Sequence, residues 1–303
     1  WAWVAALDVS NTQQDSATRA LSTEAMVGIC SALEMFHGAA LVHDDLLDQS
    51  DTRRGVPAVH KRFESMHKQH GWAGNPERFG QAGSVLVGDL MLAWSSEIFG
   101  NALLKSPNSQ IESACRDEFS KMRIEVMAGQ YLDVLEENAA PTRAVEEAVG
   151  RANRVILYKT AKYSIEAPLL IGAAFAGADP AVLRGLSAFG IPLGMAFQLR
   201  DDILGVFGDP AVTGKPAGDD LREGKRTVLM AMTMEKASDA ARAELSANLG
   251  KPDLSPEKIE SLRALIIDTG AVADVEKLID RLGEESVAAA NSAAINDNER
   301  PFL

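Results

Sequence analysis

An all-α fold is predicted by three features of this 303-residue sequence. Alanine is abundant, aromatic residues make up only 6%, and β-branched runs are few, a balance that favours helices over strands. The first helix is predicted over residues 22–48, where Met26, Ile29, Cys30, Leu33, Phe36, Ala40 and Leu41 recur at three- and four-residue steps. Ser22 with Thr23 supplies its start signal, and Gly55 and Pro57 break the pattern within residues 49–57. A second helix is predicted over residues 80–99, followed by a polar gap with Pro107 and Asn108. A third covers residues 111–135, and Pro141-Thr142 opens a fourth that runs through Arg154 to Ser164. Pro180 starts a helix reaching Val206, and residues 208–218, rich in Gly and Pro, read as a mobile loop. Beyond Thr227 the helices read as polar and ordinary, with a frayed tail from Asn291. There is no repeat at solenoid period and no clear linker, so the whole of residues 1–303 is expected to form a single domain, a helical bundle.

Composition narrows the partners. A net charge of −13 argues against a nucleic-acid backbone as ligand. It does not exclude a phosphorylated ligand, because bound cations invert the local charge. Cys30 and Cys115 lack metal-ligand spacing, which suits a reduced, cytoplasmic setting. No apolar run is expected to reach transmembrane length; the longest candidate, residues 167–178, is interrupted by Gly172 and Gly177. Trp1-Ala2-Trp3 lacks the basic start of a signal peptide, and the absence of an initial Met predicts a segment upstream of Trp1.

The chemistry is carried by two aspartate clusters. His43-Asp44-Asp45-Leu46-Leu47-Asp48 is followed by Arg53-Arg54-Gly55, and Gln198-Leu199-Arg200-Asp201-Asp202 is followed by Lys215 and Lys225. On a helix, Asp44 and Asp48 share one face. Acidic residues at a helix C-terminus oppose its dipole, so a merely solvated helix end explains the first cluster poorly. Carboxylates crowded on one turn need a cation. Two such turns facing each other would hold several hard divalent ions, and those ions a diphosphate.

On these residues the sequence resembles the trans-isoprenyl (polyprenyl) diphosphate synthases, and in particular bacterial geranylgeranyl diphosphate synthases. The two aspartate motifs, Gly88-Asp89-Leu90, Gly129-Gln130, Lys159-Thr160 and the later lysines occur in the family's order. The resemblance implies the isoprenoid-synthase helical bundle with a central apolar pocket, and a Mg2+-dependent prenyltransferase using about three Mg2+ ions, or Mn2+. It implies isopentenyl diphosphate and an allylic diphosphate as substrates, and a homodimer with the contact near residues 112–130. Asp44, Asp48 and Asp201 would ligate metal, with Asp45, Asp202 and Asp220 in support. Arg53, Lys159, Lys215 and Lys225 would hold the diphosphate. Thr160, Gln198 and the Lys159 carbonyl would stabilise an allylic cation, and Arg54 with His37 would hold isopentenyl diphosphate. Read alone, His37 is as readily a core histidine. Gln130 and Asp133 brace the pocket or lie on the helix surface, and Asp89 is structural. The sequence departs from the family twice: Gly205 stands where the second motif usually has a third aspartate, and the upstream Gly-Lys-x-x-Arg-Pro segment is absent, which is read as truncation or disorder.

Product length is read from Ala39 and Ala40, which leave space one turn before Asp44, and from Phe36, about 12 Å below the metals at 1.5 Å per residue. This depth suits a twenty-carbon product, geranylgeranyl diphosphate, with Met91 or Trp94 as further floor residues. The alternatives are a farnesyl or a longer-chain synthase, a non-catalytic partner subunit, a class I terpene cyclase, and a phosphohydrolase using His43-Asp44.

Overall fold

In a computed structural model, residues 16–209 and 218–292 are described. They are helical apart from short turns and one two-stranded hairpin. The chain divides into two compact units, with the boundary between Glu112 and Ser113.

The first unit contains α1 (Ser16–Leu47), β1 (Thr52–Arg53), β2 (Val56–Pro57), α2 (Val59–His70) and α3 (Pro76–Leu103). Helix α1 buries a stripe of Ala25, Ile29, Ala32, Phe36 and Ala39 at helical spacing. It packs on α3 at close range because the contacts are small. A Cβ on Gly28 would stand 2.7 Å from that of Ala102, and Ser95 Oγ donates to the Ala32 carbonyl at 2.7 Å. Asn75 caps α3 by accepting from the Arg78 amide at 3.1 Å, and Pro76 fills a first-turn position that needs no donor.

Helix α2 was not foreseen. Its sequence, VHKRFESMHKQH, has too few apolar residues to show a stripe. It earns its packing with histidines: His60 and His67 are buried, and the His67 ring lies 6.0 Å from Trp72 and 5.3 Å from Phe79. Gly71, with φ 61°, ends the helix in the left-handed cap that glycine adopts without strain.

The second unit comprises most of α4 (Ser109–Ala139), two 3-10 turns, α5 (Ala148–Val155), a π-helical segment (Ile156–Glu166), α6 (Ala167–Phe175), α7 (Pro180–Phe207), α8 (Asp219–Glu223), α9 (Val228–Lys236), α10 (Asp239–Asn248), α11 (Pro256–Asp268) and α12 (Ala271–Ser292). Helix α7 packs on α12 and on the π-helical segment. The expectation of polar helices after Thr227 is corrected: Val228, Leu229 and Met230 of α9 are sealed in a core with Leu199, Leu221, Leu245 and Leu262. The helix is only nine residues long and follows a charged stretch, so its burial did not show in the pattern.

A second correction concerns length. Residues 22–47 and Pro180–Phe207 are long and apolar enough to cross a membrane, with mean hydropathy of 1.6 and 1.3. Their alanines, with scattered larger apolar residues, raise the mean hydropathy without forming one unbroken block of large side chains. Both helices carry aspartates at their C-terminal ends.

Candidate active site

The expected functional residues form two half-sites, one in each unit. In the first, α1 delivers Asp44 and Asp45 on its last turn. The chain then turns over: the Asp48 amide donates to the Asp44 carbonyl at 2.8 Å and the Ser50 amide to that of Asp45 at 2.9 Å. The β1–β2 hairpin returns Arg53 to the helix end. Arg53 Nε donates to Asp45 Oδ1 at 2.8 Å, and its Nη2 reaches Asp45 Oδ1 at 2.5 Å and Asp44 Oδ2 at 3.4 Å. Burial works to lower the Arg53 pKa, but the hydrogen bond and charge of Asp45, with the charges of Asp44 and Asp48, raise it above the ordinary arginine value. Asp45 is buried and committed to Arg53, whereas Asp44 and Asp48 are more open.

Arg54 and Gly55 form the two-residue hairpin loop, both with positive φ, 52° and 76°. That is the geometry whose twist matches an antiparallel pair. Arginine pays a strain of about 1 kcal/mol to sit there, and its side chain is exposed. His37 is half-buried on α1. His43 Nε2 donates to the Val85 carbonyl at 3.3 Å and lies 3.7 Å from Asp89. A Cβ on Gly88 would stand 2.1 Å from the His43 ring, so the Gly88-Asp89 pair makes room for that ring and faces it with a carboxylate. Phe36 and Ala39 are fully buried, and Ala40 is half-buried one turn before Asp44. Gly38 lies against Met91, while Trp94 is half exposed.

The second half-site is built around the π-helical segment. Two glycines let neighbouring helices touch its backbone. A Cβ on Gly129 of α4 would meet the Lys159 nitrogen at 2.4 Å, and one on Gly194 of α7 would meet Ala161 Cα at 2.5 Å. Between these contacts the wide π turns present Lys159 and Thr160 in succession; such turns are frequent at functional sites. Lys159 Nζ donates to Asp133 Oδ2 at 2.5 Å. Lys225 lies 4.0 Å from the same oxygen, 3.7 Å from Glu137 and 4.0 Å from Glu223. Asp133, read from sequence only as a brace, thus faces both lysines. Its spacing from Gly129, one helical turn, was the available signal.

Thr160 Oγ1 donates to Gln198 Oε1 at 2.7 Å, which orients the amide so that Nε2 donates to Asp202 Oδ1 at 2.9 Å and reaches Asp201 Oδ2 at 3.4 Å. Asp202 is 5% exposed, and its Oδ2 has no hydrogen-bond partner among the described residues. Burial, with Asp201 and Asp133 adding repulsion, pushes its pKa up to about 7 against the pull of Gln198 and Lys225. Asp201 is exposed beside it.

Gly205, the departure from the family's third aspartate, has a structural counterpart. A Cβ there would stand 2.2 Å from Asp220 Oδ2 and 2.3 Å from its Cγ. The carboxylate of Asp220 therefore occupies the space that a side chain at position 205 would fill, one turn past Asp201. Lys215 lies outside the described residues.

No group of three or more His, Cys, Asp or Glu side chains is drawn together for a metal among the described residues. Mg2+ does not require one, because it binds through one or two carboxylates, keeps waters and shares phosphate oxygens. Asp44 with Asp48, and Asp201 beside the undonated Asp202 oxygen and Asp220, are oxygen sets of that kind.

The chain is 40% identical to a geranylgeranyl pyrophosphate synthase of Corynebacterium glutamicum whose crystal structure is complexed with isoprenyl diphosphate and magnesium. The TM-score is 0.89, covering 100% of this chain and 81% of that one. It is 34% identical over 236 residues to a geranylgeranyl diphosphate synthase of Sulfolobus acidocaldarius, covering 78% of this chain and 64% of that protein. It is 30% identical over 246 residues to a geranylfarnesyl diphosphate synthase of Aeropyrum pernix, covering 81% and 69%. The chain thus spans about two thirds of the length of these two curated relatives. Residues 5–266 match the family described as polyprenyl synthetase, and the chain belongs to that family.

Proposed function

We propose that this protein is a prenyltransferase that condenses isopentenyl diphosphate with an allylic diphosphate, its product being geranylgeranyl diphosphate. The observation that carries the reading is the second half-site. Two ammonium groups face one carboxylate, beside a hydrogen-bonded Thr160–Gln198–Asp202 chain. Lysines held this way can turn to a phosphate oxygen as it gains charge, which is what a departing diphosphate needs. The match to the family across residues 5–266 also supports treating both units as one synthase domain.

Asp44 and Asp48 in one half-site, and Asp201 with Asp202 and Asp220 in the other, are the residues that would hold Mg2+, about three ions with Mn2+ as a substitute. Bound there, the metal supplies Lewis-acid stabilisation of the leaving diphosphate. Arg53, Lys159, Lys215 and Lys225 hold the diphosphate and take up its growing charge. Thr160 Oγ1, Gln198 Oε1 and the Lys159 carbonyl direct dipoles at the allylic cation left behind. Arg54 and His37 position isopentenyl diphosphate, whose double bond attacks C1 of that cation. The new C–C bond leaves a tertiary cation, and the departing diphosphate accepts the proton whose loss forms the product alkene.

The growing chain runs past Ala40 and Ala39 toward Phe36. Two alanines with a phenylalanine a further turn down suit twenty carbons, and relatives named for geranylgeranyl and geranylfarnesyl products support that range. Purified protein given isopentenyl diphosphate with each allylic starter should yield a twenty-carbon product on chromatography. A fifteen-carbon product alone would overturn the chain-length argument. Ala39→Phe should shorten the product; an unchanged product places the floor elsewhere.

We also propose a homodimer through α4, where Ile124, Met127 and Tyr131 form an exposed apolar face at helical spacing. Cytoplasmic residence is supported by Cys30 and Cys115 being free thiols.

A further inference from the structure

The second unit contains a cavity of about 330 Å³ that none of the functional residues above lines. It lies between the C-terminal turn of α4, α5, α9 and α10. Its wall carries four arginines, Arg143, Arg151, Arg226 and Arg242, against a single glutamate, Glu136, while Met230 and Met234 supply apolar surface. Glu136 is spent on two of the arginines: it accepts from Arg143 Nη1 at 2.6 Å and from Arg151 Nε at 2.8 Å. Arg242 donates to the uncharged carbonyls of Met234 and Ala237 at 3.0 and 3.2 Å, and its nearest carboxylate, Asp239 at 3.5 Å, is fully exposed. Arg226 is the least satisfied. Its Nε is buried without a hydrogen-bond partner among the described residues, and burial lowers its pKa against the pull of Glu137.

Burying a guanidinium donor with nothing to accept from it is costly, and such groups are normally paired. A polyvalent anion in the cavity would bring acceptors to the Arg226 and Arg242 guanidinium groups, whose planar forks match phosphate oxygens. Met234 adapts to an apolar tail, and the volume is at the small end for a ligand pocket. We propose that this cavity is an accessory binding site for a short alkyl diphosphate or phosphate, with its head on Arg226 and Arg242 and its tail on Met234. Arg226 adjoins Lys225, and Glu136, in the cavity wall, adjoins Glu137, which faces Lys225 at 3.7 Å. Drawing Arg226 toward a ligand changes the charge around Lys225. On the synthase reading above, this raises the KM for the allylic diphosphate.

The site is tested by calorimetric titration of the full chain with isopentenyl diphosphate in EDTA, which removes metal-dependent binding. Inorganic diphosphate and hexanoate serve as head-only and carboxylate probes. Wild type should show a saturable site for isopentenyl diphosphate that survives Arg54→Ala. Arg226→Gln and Met234→Trp should each weaken it at least tenfold, one by removing charge and one by filling the space. Inorganic diphosphate should bind more weakly, through the lost tail contact, and hexanoate weakest. Binding unchanged in both cavity variants, or a wild-type site wholly abolished by Arg54→Ala, would overturn the proposal. These measurements need no turnover, so failure of the synthase reading would show separately as absence of product. Where product forms, excess isopentenyl diphosphate should raise the allylic KM in wild type and not in Arg226→Gln; equal behaviour would refute the coupling to Lys225.

Discussion

The two half-sites hold their carboxylates by opposite means. At the end of α1, charge does the work: Arg53 forks onto Asp45 and touches Asp44. On α7, the buried acid Asp202 has no cation at hydrogen-bond range among the described residues, only the neutral amide of Gln198. The first half-site is therefore stabilised by its ionised acids. The second is strained by ionisation until a cation or proton arrives. Position by position, the first set reads Asp44, Asp45 and Asp48, while the second carries Gly205, with the Asp220 carboxylate in the space that a side chain there would fill.

The largest effect should come from the backbone contacts that build the second half-site. Gly129→Ala would drive a methyl into the Lys159 amide and should destabilise by about 3 kcal/mol, read as a lower urea midpoint, with activity lost alongside. The matching change in the first unit, Gly88→Ala, meets a side-chain ring that can turn, so it should cost less. An equal loss would erase the distinction between backbone and side-chain packing.

Neutralising the two buried acids should separate the half-sites next. Asp45→Asn removes the buried charge that faces Arg53 and should cost about 2 kcal/mol, between the values for buried and exposed pairs. Asp202→Asn should be neutral or stabilising in EDTA, yet reduce turnover.

The pH dependence follows from the same contrast. Because the folded-state pKa of Asp202 is raised, from 3.8 to about 7, the folded state binds the proton more tightly than the unfolded chain. That contribution to stability is full below about pH 4 and is lost as pH rises through 7, amounting to about 4 kcal/mol at most. Metal-free wild type should lose stability relative to Asp202→Asn across this window. A parallel pH profile for the two proteins would contradict the account. The smallest effect belongs to Arg54→Gly, which relieves about 1 kcal/mol of hairpin strain. It should raise the melting temperature slightly while raising the KM for isopentenyl diphosphate.

Much of this was legible in the sequence because it is periodic or punctuated. The stripe through Ile29 and Phe36 fixed α1, Pro180 opened α7, and crowded aspartates at apolar helix ends marked both half-sites. Helix α2 escaped because its buried side chains include His60 and His67, which carry no apolar signal. The π-helical turns at Lys159 and Thr160 escaped because nothing in their own residues marks them, and the glycines that pack against them, Gly129 and Gly194, lie elsewhere in the chain. At Gly205 the missing aspartate was visible and Asp220 was expected in support, but the fit of the Asp220 carboxylate against Gly205 was not, because it depends on α8 packing back on α7. Asp133 was undervalued because the lysines it faces, Lys159 and Lys225, lie 26 and 92 residues later in the chain.

The central claim is that two unequal aspartate sets support one metal-dependent prenyl transfer. It is tested most directly by incorporation of labelled isopentenyl diphosphate into an allylic starter, with Mg2+ and with EDTA, in wild type, Asp44→Asn and Asp201→Asn. The account predicts a labelled twenty-carbon diphosphate with Mg2+, none in EDTA, and a fall of about a hundredfold or more in each variant. Release of an unlabelled hydrocarbon, or full incorporation in EDTA, would contradict it.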